Sequence, residues 1–145
     1  MEEYPILAID YGEKHFGLAI SDSKGILASP LTTISITKNR KVDSVIQEIL
    51  EICREYQVKI ILIGKPQSFS ENQDQTSKKV DTFISKIKVH SNIPIITYDE
   101  SFSTTEAQNV LTSSGQHSKS YRVKIDQIAA TVFLQEFLNS NKNNQ

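Results

Sequence analysis

The chain is expected to form an α/β domain built on a five-stranded mixed sheet, a three-strand antiparallel meander plus two parallel strands, flanked by helices. Three observations predict this. Ile6-Leu-Ala-Ile9 and Ile60-Ile-Leu-Ile63 are continuous apolar runs with the composition of strands covered on both faces. The first run is followed by two more strand-like segments across connections short enough for hairpins. Beyond Val42, strand-like and helix-like patterns alternate, and each such crossover must cover a face of the sheet.

Each element has its own signal. Gly17-Leu-Ala-Ile20 follows the first strand, with Gly12 and Gly17 bracketing the hairpin, and Leu31-Thr-Thr-Ile-Ser-Ile36 alternates and is β-branched. Val42, Val45, Ile46, Ile49, Leu50, Cys53 and Tyr56 recur at spacings of three and four, the mark of one helix face. After Ile60-Ile63, a loop containing Gly64 and Pro66 leads to a weaker helix across Val80, Phe83, Ile84 and Ile87. Ile93, Ile95, Ile96 and Tyr98 form the last strand, which halts at Asp99-Glu100. Ser103 with Glu106 is a capping signature for a helix running to about Ser113. Gly115 to Lys124 reads as a polar, basic loop, and the final helix carries Ile125, Ile128, Ala129, Val132 and Phe133 inward. Residues 139–145 have nothing to bury and read as a flexible polar tail, which leaves 1–138 as the single domain.

Composition narrows the function. At 145 residues there is room for one ordinary core, and 38% hydrophobic residues suffice to pack it. Sixteen Lys and Arg oppose 17 Asp and Glu for a net charge of -1, which excludes binding nucleic acid by bulk charge and leaves only a local patch. Cys53 has no partner for an internal disulfide, and the three histidines lack the paired spacing of a zinc site. No apolar stretch reaches membrane-spanning length and the opening residues lack a basic, then apolar, leader pattern, so a cytoplasmic protein is expected.

Chemistry enters with the acids. Asp10 ends one apolar strand and Glu100 follows another, at the carboxyl edge where open α/β sheets bind ligands. Asp126 is expected in the first turn of the last helix, with the small residues Ala129 and Ala130 one turn further on. Each acid alone has an ordinary explanation as a turn, loop or first-turn residue. An acid after each of two buried strands is less ordinary. Converging carboxylates repel unless a proton or a cation lies among them, and oxygen-only ligands favour Mg²⁺ or Mn²⁺. A two-metal site of that kind can hydrolyse a phosphodiester.

The motifs themselves resemble a known family. Asp10-Tyr-Gly-Glu-Lys-His-Phe-Gly-Leu-Ala-Ile-Ser-Asp22 is similar to the opening of the YqgF family, nucleases of precursor 16S rRNA that are also described as Holliday-junction-resolvase-like. The resemblance continues in register through Ile63-Gly64-Lys65-Pro66, Tyr98-Asp99-Glu100-Ser-Phe-Ser-Thr104 with Glu106-Ala107, and Ile125-Asp126-Gln-Ile-Ala-Ala130 with Leu134-Gln135. It implies a ribonuclease-H-like fold, a metal-dependent endonuclease acting in 5′-end maturation of precursor 16S rRNA, and Asp10, Glu100 and Asp126 as catalytic and metal-holding acids. It also implies a place in ribosome biogenesis, with the small ribosomal subunit as a partner. The chain has His15 and Ser101 where the family has Arg, and Lys65 where it has a Leu-like residue. Arg grips phosphate through a bidentate fork that His and Ser cannot supply, so Lys65 is a candidate replacement.

The remaining nucleic-acid candidates are Gly12 and Lys14, beside Asp10, and Tyr121, Arg122 and Lys124, just ahead of Asp126. A glycine lets a phosphate approach the main chain, and a basic stretch with an aromatic residue suits a strand with splayed bases. Two other readings stand beside the rRNA nuclease: a resolvase of branched DNA, and a module of the same fold that binds nucleic acid without cutting it.

Overall fold

The computed structural model of the chain describes residues 3–12, 14–65, 73–99 and 119–143, with side chains except those of 65, 73–77, 99, 119–126 and 141–143. Strands β1 (Ile6–Asp10), β2 (His15–Ser21) and β3 (Ala28–Ser35) are followed by helix α1 (Val42–Tyr56), strand β4 (Ile60–Lys65) and helix α2 (Gln73–His90). Strand β5 (Ile95–Asp99) and helix α3 (Lys119–Asn143) complete the described elements. The sheet order is β3-β2-β1-β4-β5, with β1 antiparallel to β2 and β2 to β3, and β4 parallel to both β1 and β5. This is the mixed sheet expected from the apolar runs. The helix expected from Ser103 lies outside the described residues.

Each face of the sheet is covered by different helices, and the alternation along β1 shows it. Leu7 and Ile9 pack with Val45, Ile46 and Ile49 of α1 and Val80, Phe83 and Ile87 of α2. Ile6 and Ala8 pack with Ala130, Phe133, Leu134 and Leu138 of α3. Both sets are fully buried, which is why the strand reads as a continuous apolar run rather than an alternating one. On the α1 and α2 side the rings of Phe16 and Phe83 stack at 5.1 Å, and Tyr11 meets both edge-on.

Local chemistry closes the elements. Helix α1 ends where Gln57 turns left-handed at φ 54, and the Val58 N–H donates to the Cys53 carbonyl at 2.9 Å. Asp22 is a turn acid: its Oδ1 accepts from the N–H of Ile26 at 2.7 Å and of Leu27 at 3.3 Å. These backbone donors, Ile26 foremost, hold its carboxyl below the usual carboxylate range. The buried Ser21 hydroxyl accepts the first N–H of β1, from Ile6, at 2.7 Å. In the β1–β2 hairpin, a Cβ on Gly12 would run into the His15 carbonyl oxygen, so the turn is tight because residue 12 has no side chain.

Several boundaries differ from the expectation. Gly17 is not a turn residue but the third residue of β2, and Gly64 lies in β4, not in the loop after it. Strand pairing carries both positions, because neighbours on each side supply the ladder that a glycine alone would not favour. Helix α3 begins at Lys119, so Lys119–Lys124 is helical rather than a loop. That stretch contains neither Gly nor Pro, and nothing in it stops a helix extending backwards from the packed turns at Ala129 and Ala130. The same helix runs on through Asn143, into the segment that its composition assigns to a tail.

Two stability predictions follow from this packing. Phe133→Ala, which empties a fully buried site against Tyr98, should lower unfolding free energy by about 3–5 kcal/mol in a urea titration. Gly12→Ala should cost about 1–3 kcal/mol in the same assay, because the obstructing atom is backbone and the whole turn must shift.

Candidate active site

Asp10 is the last residue of the central strand and only 7% exposed. It shares its parity with Ile6 and Ala8, which places it on the α3 face. Its Cα partners are Gly17 on β2 and Gly64 on β4, so the carboxylate sits in a cross-strand row whose immediate neighbours carry no side chain. The row extends to Thr33 beyond Gly17 and to Tyr98 beyond Gly64. The structure thus keeps this candidate acid buried at the end of a strand paired on both edges, between two glycines. The glycines are the part of the site that the motif reading undervalued. Their signal is pairing across strands, and no spacing within one segment of sequence reveals it.

Tyr98 joins the far side of this row to α3. Its hydroxyl donates to Glu136 at 2.8 Å, and its ring stacks on Phe133 at 5.6 Å and meets Phe137 edge-on at 6.4 Å. The end of β5 is thereby tied to the helix that covers the Asp10 face. Glu136, which no motif singles out, is the acid that makes this tie.

The other candidates fall into three groups. Gly12 and Lys14 lie in the β1–β2 connection immediately beyond Asp10, and Lys65 is the last residue of β4, in register with Asp99. Asp126 is not in a first turn: it is the eighth residue of α3, one turn before Ala129 and Ala130, and the first turn holds no acid. The helix-dipole explanation for an acid at that position therefore does not apply. Tyr121, Arg122 and Lys124 stand on the opening turns of the same helix. Glu100 lies outside the described residues. Among the described residues no three potential metal-ligating side chains come together.

Two residues resolve as structural. His15 places Nδ1 2.7 Å from the Ser35 hydroxyl, bridging the paired ends of β2 and β3. Cys53 is buried in the core, and that burial pushes its thiol up to about 11, far from the range of a nucleophilic thiolate. Among the described residues, no helix is long and apolar enough to cross a membrane.

Comparison with known proteins agrees with this architecture. Residues 4–140 match the model of the RuvX family, described as Holliday junction resolvase. A protein of Thermoanaerobacter pseudethanolicus named "Putative pre-16S rRNA nuclease" is 38% identical over 139 residues, covering 95% of this chain and 98% of its own. One of the same name from Fusobacterium nucleatum is 36% identical over 138 residues, covering 94% and 97%. Among solved structures, T. thermophilus RuvC in complex with a Holliday junction substrate superposes with a TM-score of 0.61 at 16% identity, covering 95% of both chains. Fowlpox virus resolvase with its Holliday junction DNA gives 0.55 at 16% identity, covering 95% of this chain and 99% of that one. At such identities these two structures speak for the fold alone. The chain belongs to the RuvX family and is a nuclease, a hydrolase acting on ester bonds, of ribonuclease-H-like fold.

Proposed function

We propose that the protein is a divalent-metal-dependent endonuclease that trims the 5′ end of precursor 16S rRNA in the cytoplasm, during assembly of the small ribosomal subunit. The observation that carries this reading is Asp10: a buried carboxylate fixed at the carboxyl end of the central strand, between two glycines. Relatives at 36–38% identity bear the rRNA name, which favours RNA, while the family model carries the resolvase description, which keeps branched DNA as the second reading.

Asp10, Glu100 and Asp126 are the residues that would hold the metal. The donor set fits a hard cation: all three offer carboxylate oxygens, the ligand type that Mg²⁺ and Mn²⁺ favour. Asp126 has no dipole reason to stand where it does on α3, which covers the face on which Asp10 lies. Two bound Mg²⁺ or Mn²⁺ ions would supply Lewis-acid stabilisation of the phosphodiester and a more acidic water.

The protein's own contribution is position. Strand β1 fixes the main chain at Asp10, because the residues before it are packed on both faces. Gly12 leaves the main chain bare beside the acid, and Lys14 brings a cation to the same turn. Lys65 at the end of β4, and Tyr121, Arg122 and Lys124 on α3, extend the phosphate and base contacts along the substrate.

The test is cleavage of labelled precursor 16S rRNA by purified protein with Mg²⁺, Mn²⁺ or chelator, beside a four-way DNA junction. Wild-type protein should cut the RNA only with metal, and Asp10→Asn should lose at least about a hundredfold in rate while its circular dichroism stays native. Undiminished cutting by Asp10→Asn would refute the assignment, cutting of the junction alone would move the substrate to branched DNA, and binding without cutting would identify a non-catalytic module.

A further inference from the structure

A second feature opens on the other face of the sheet at the same edge. A cleft of about 500 Å³ has Tyr11 and Phe83 among its walls, together with four lysines, Lys14, Lys78, Lys79 and Lys86. No carboxylate lines it among the described residues. In a chain whose net charge is -1, one quarter of its 16 basic residues lie around this one hollow. Lys86 reaches Asp43 at 3.4 Å, but that pair is exposed and weak, and a stronger anion can compete for the ammonium.

The geometry selects the ligand. Lys78 and Lys86 are two turns apart on α2, so their positions span about 12 Å, room for more than one phosphate. Tyr11 is locked edge-on against Phe16 and Phe83 at 5.4 and 5.3 Å, giving a rigid aromatic wall that needs no ordering when a flat group packs against it. Cations beside an aromatic wall suit a molecule with phosphates and planar bases. Tyr11 also directly follows Asp10, so a strand crossing the candidate active site has a short path into the cleft.

We propose that this α1–α2 cleft is a binding site for a nucleotide segment of single-stranded nucleic acid, with phosphates on Lys14, Lys78, Lys79 and Lys86 and a base or sugar against Tyr11. The site takes its ligand class from the nuclease reading but needs no chemistry at Asp10. It anchors a flanking part of the substrate on the face opposite α3.

The experiment is fluorescence anisotropy with a short labelled single-stranded RNA in chelator, so that binding is read whether or not the protein cuts. Lys78→Gln/Lys79→Gln should weaken binding about tenfold near 0.1 M salt and reduce the slope of log affinity against log salt by about 1.4. A charge-matched control, Lys24→Gln/Arg54→Gln, changes two exposed cations away from the cleft and should leave both unchanged. Wild-type affinity and slope in the α2 variant would overturn the proposal. Unlabelled ATP and polyglutamate serve as competitors. Displacement by excess RNA but not by matched concentrations of either would support a strand site. Equal displacement by ATP would overturn the strand in favour of a mononucleotide, and equal displacement by polyglutamate would recast the cleft as a site for acidic peptides.

Discussion

The two-sided burial of β1 is the constraint on which the rest of the molecule depends. A strand paired on both edges and covered on both faces has no freedom to shift, because a slip of one residue would exchange its two sets of apolar side chains between cores. Parallel pairing to β4 and antiparallel pairing to β2 set the register at Asp10, with Gly64 on one side and Gly17 on the other. A catalytic carboxylate needs such rigidity, since small displacements of a reacting group are expensive in rate. The hydrophobic effect that stabilises the domain thus also positions its candidate acid.

The two faces of the sheet divide the work. Helix α3 covers one face through Ala129, Ala130, Phe133 and Leu134, and small residues at two of these positions let it approach closely. Tyr98 ties that helix to β5 by one hydrogen bond and two ring contacts. Helices α1 and α2 cover the other face through a larger cluster with an aromatic centre, and the lysines of α2 surround the cleft at its edge. Acid lies on one face and cations lie toward the other, both at the carboxyl ends of the parallel strands. An edge so divided sets a cluster of cations apart from the candidate acid.

Much of this was legible in the residues. The apolar runs Ile6–Ile9 and Ile60–Ile63 identify buried strands because only strands covered on both faces dispense with alternation, and the three-and-four spacing from Val42 to Tyr56 marks α1 to the residue. Asp10 stands out because an acid follows such a run. The start of α3 did not, since Lys119–Lys124 is polar without containing a helix breaker, and polarity alone does not separate a solvated helix from a loop. The cleft on α2 was equally hidden: Lys78, Lys79 and Lys86 look like the solvated side of a weak helix until Tyr11 and Lys14 are brought beside them.

By itself the sequence determined the class of fold, the succession of strands and helices along most of the chain and the identity of the acid at the end of β1, because these follow from periodicity and burial within short segments. Tertiary structure alone decided what surrounds that acid. The placing of Gly17 and Gly64 on either side of Asp10, the union of Tyr98 with Glu136, and the meeting of Lys14 with the α2 lysines all join residues distant in the chain. Such meetings depend on strand register and on helix packing. Both are settled by the fit of whole faces to one another rather than by any local preference of the residues concerned.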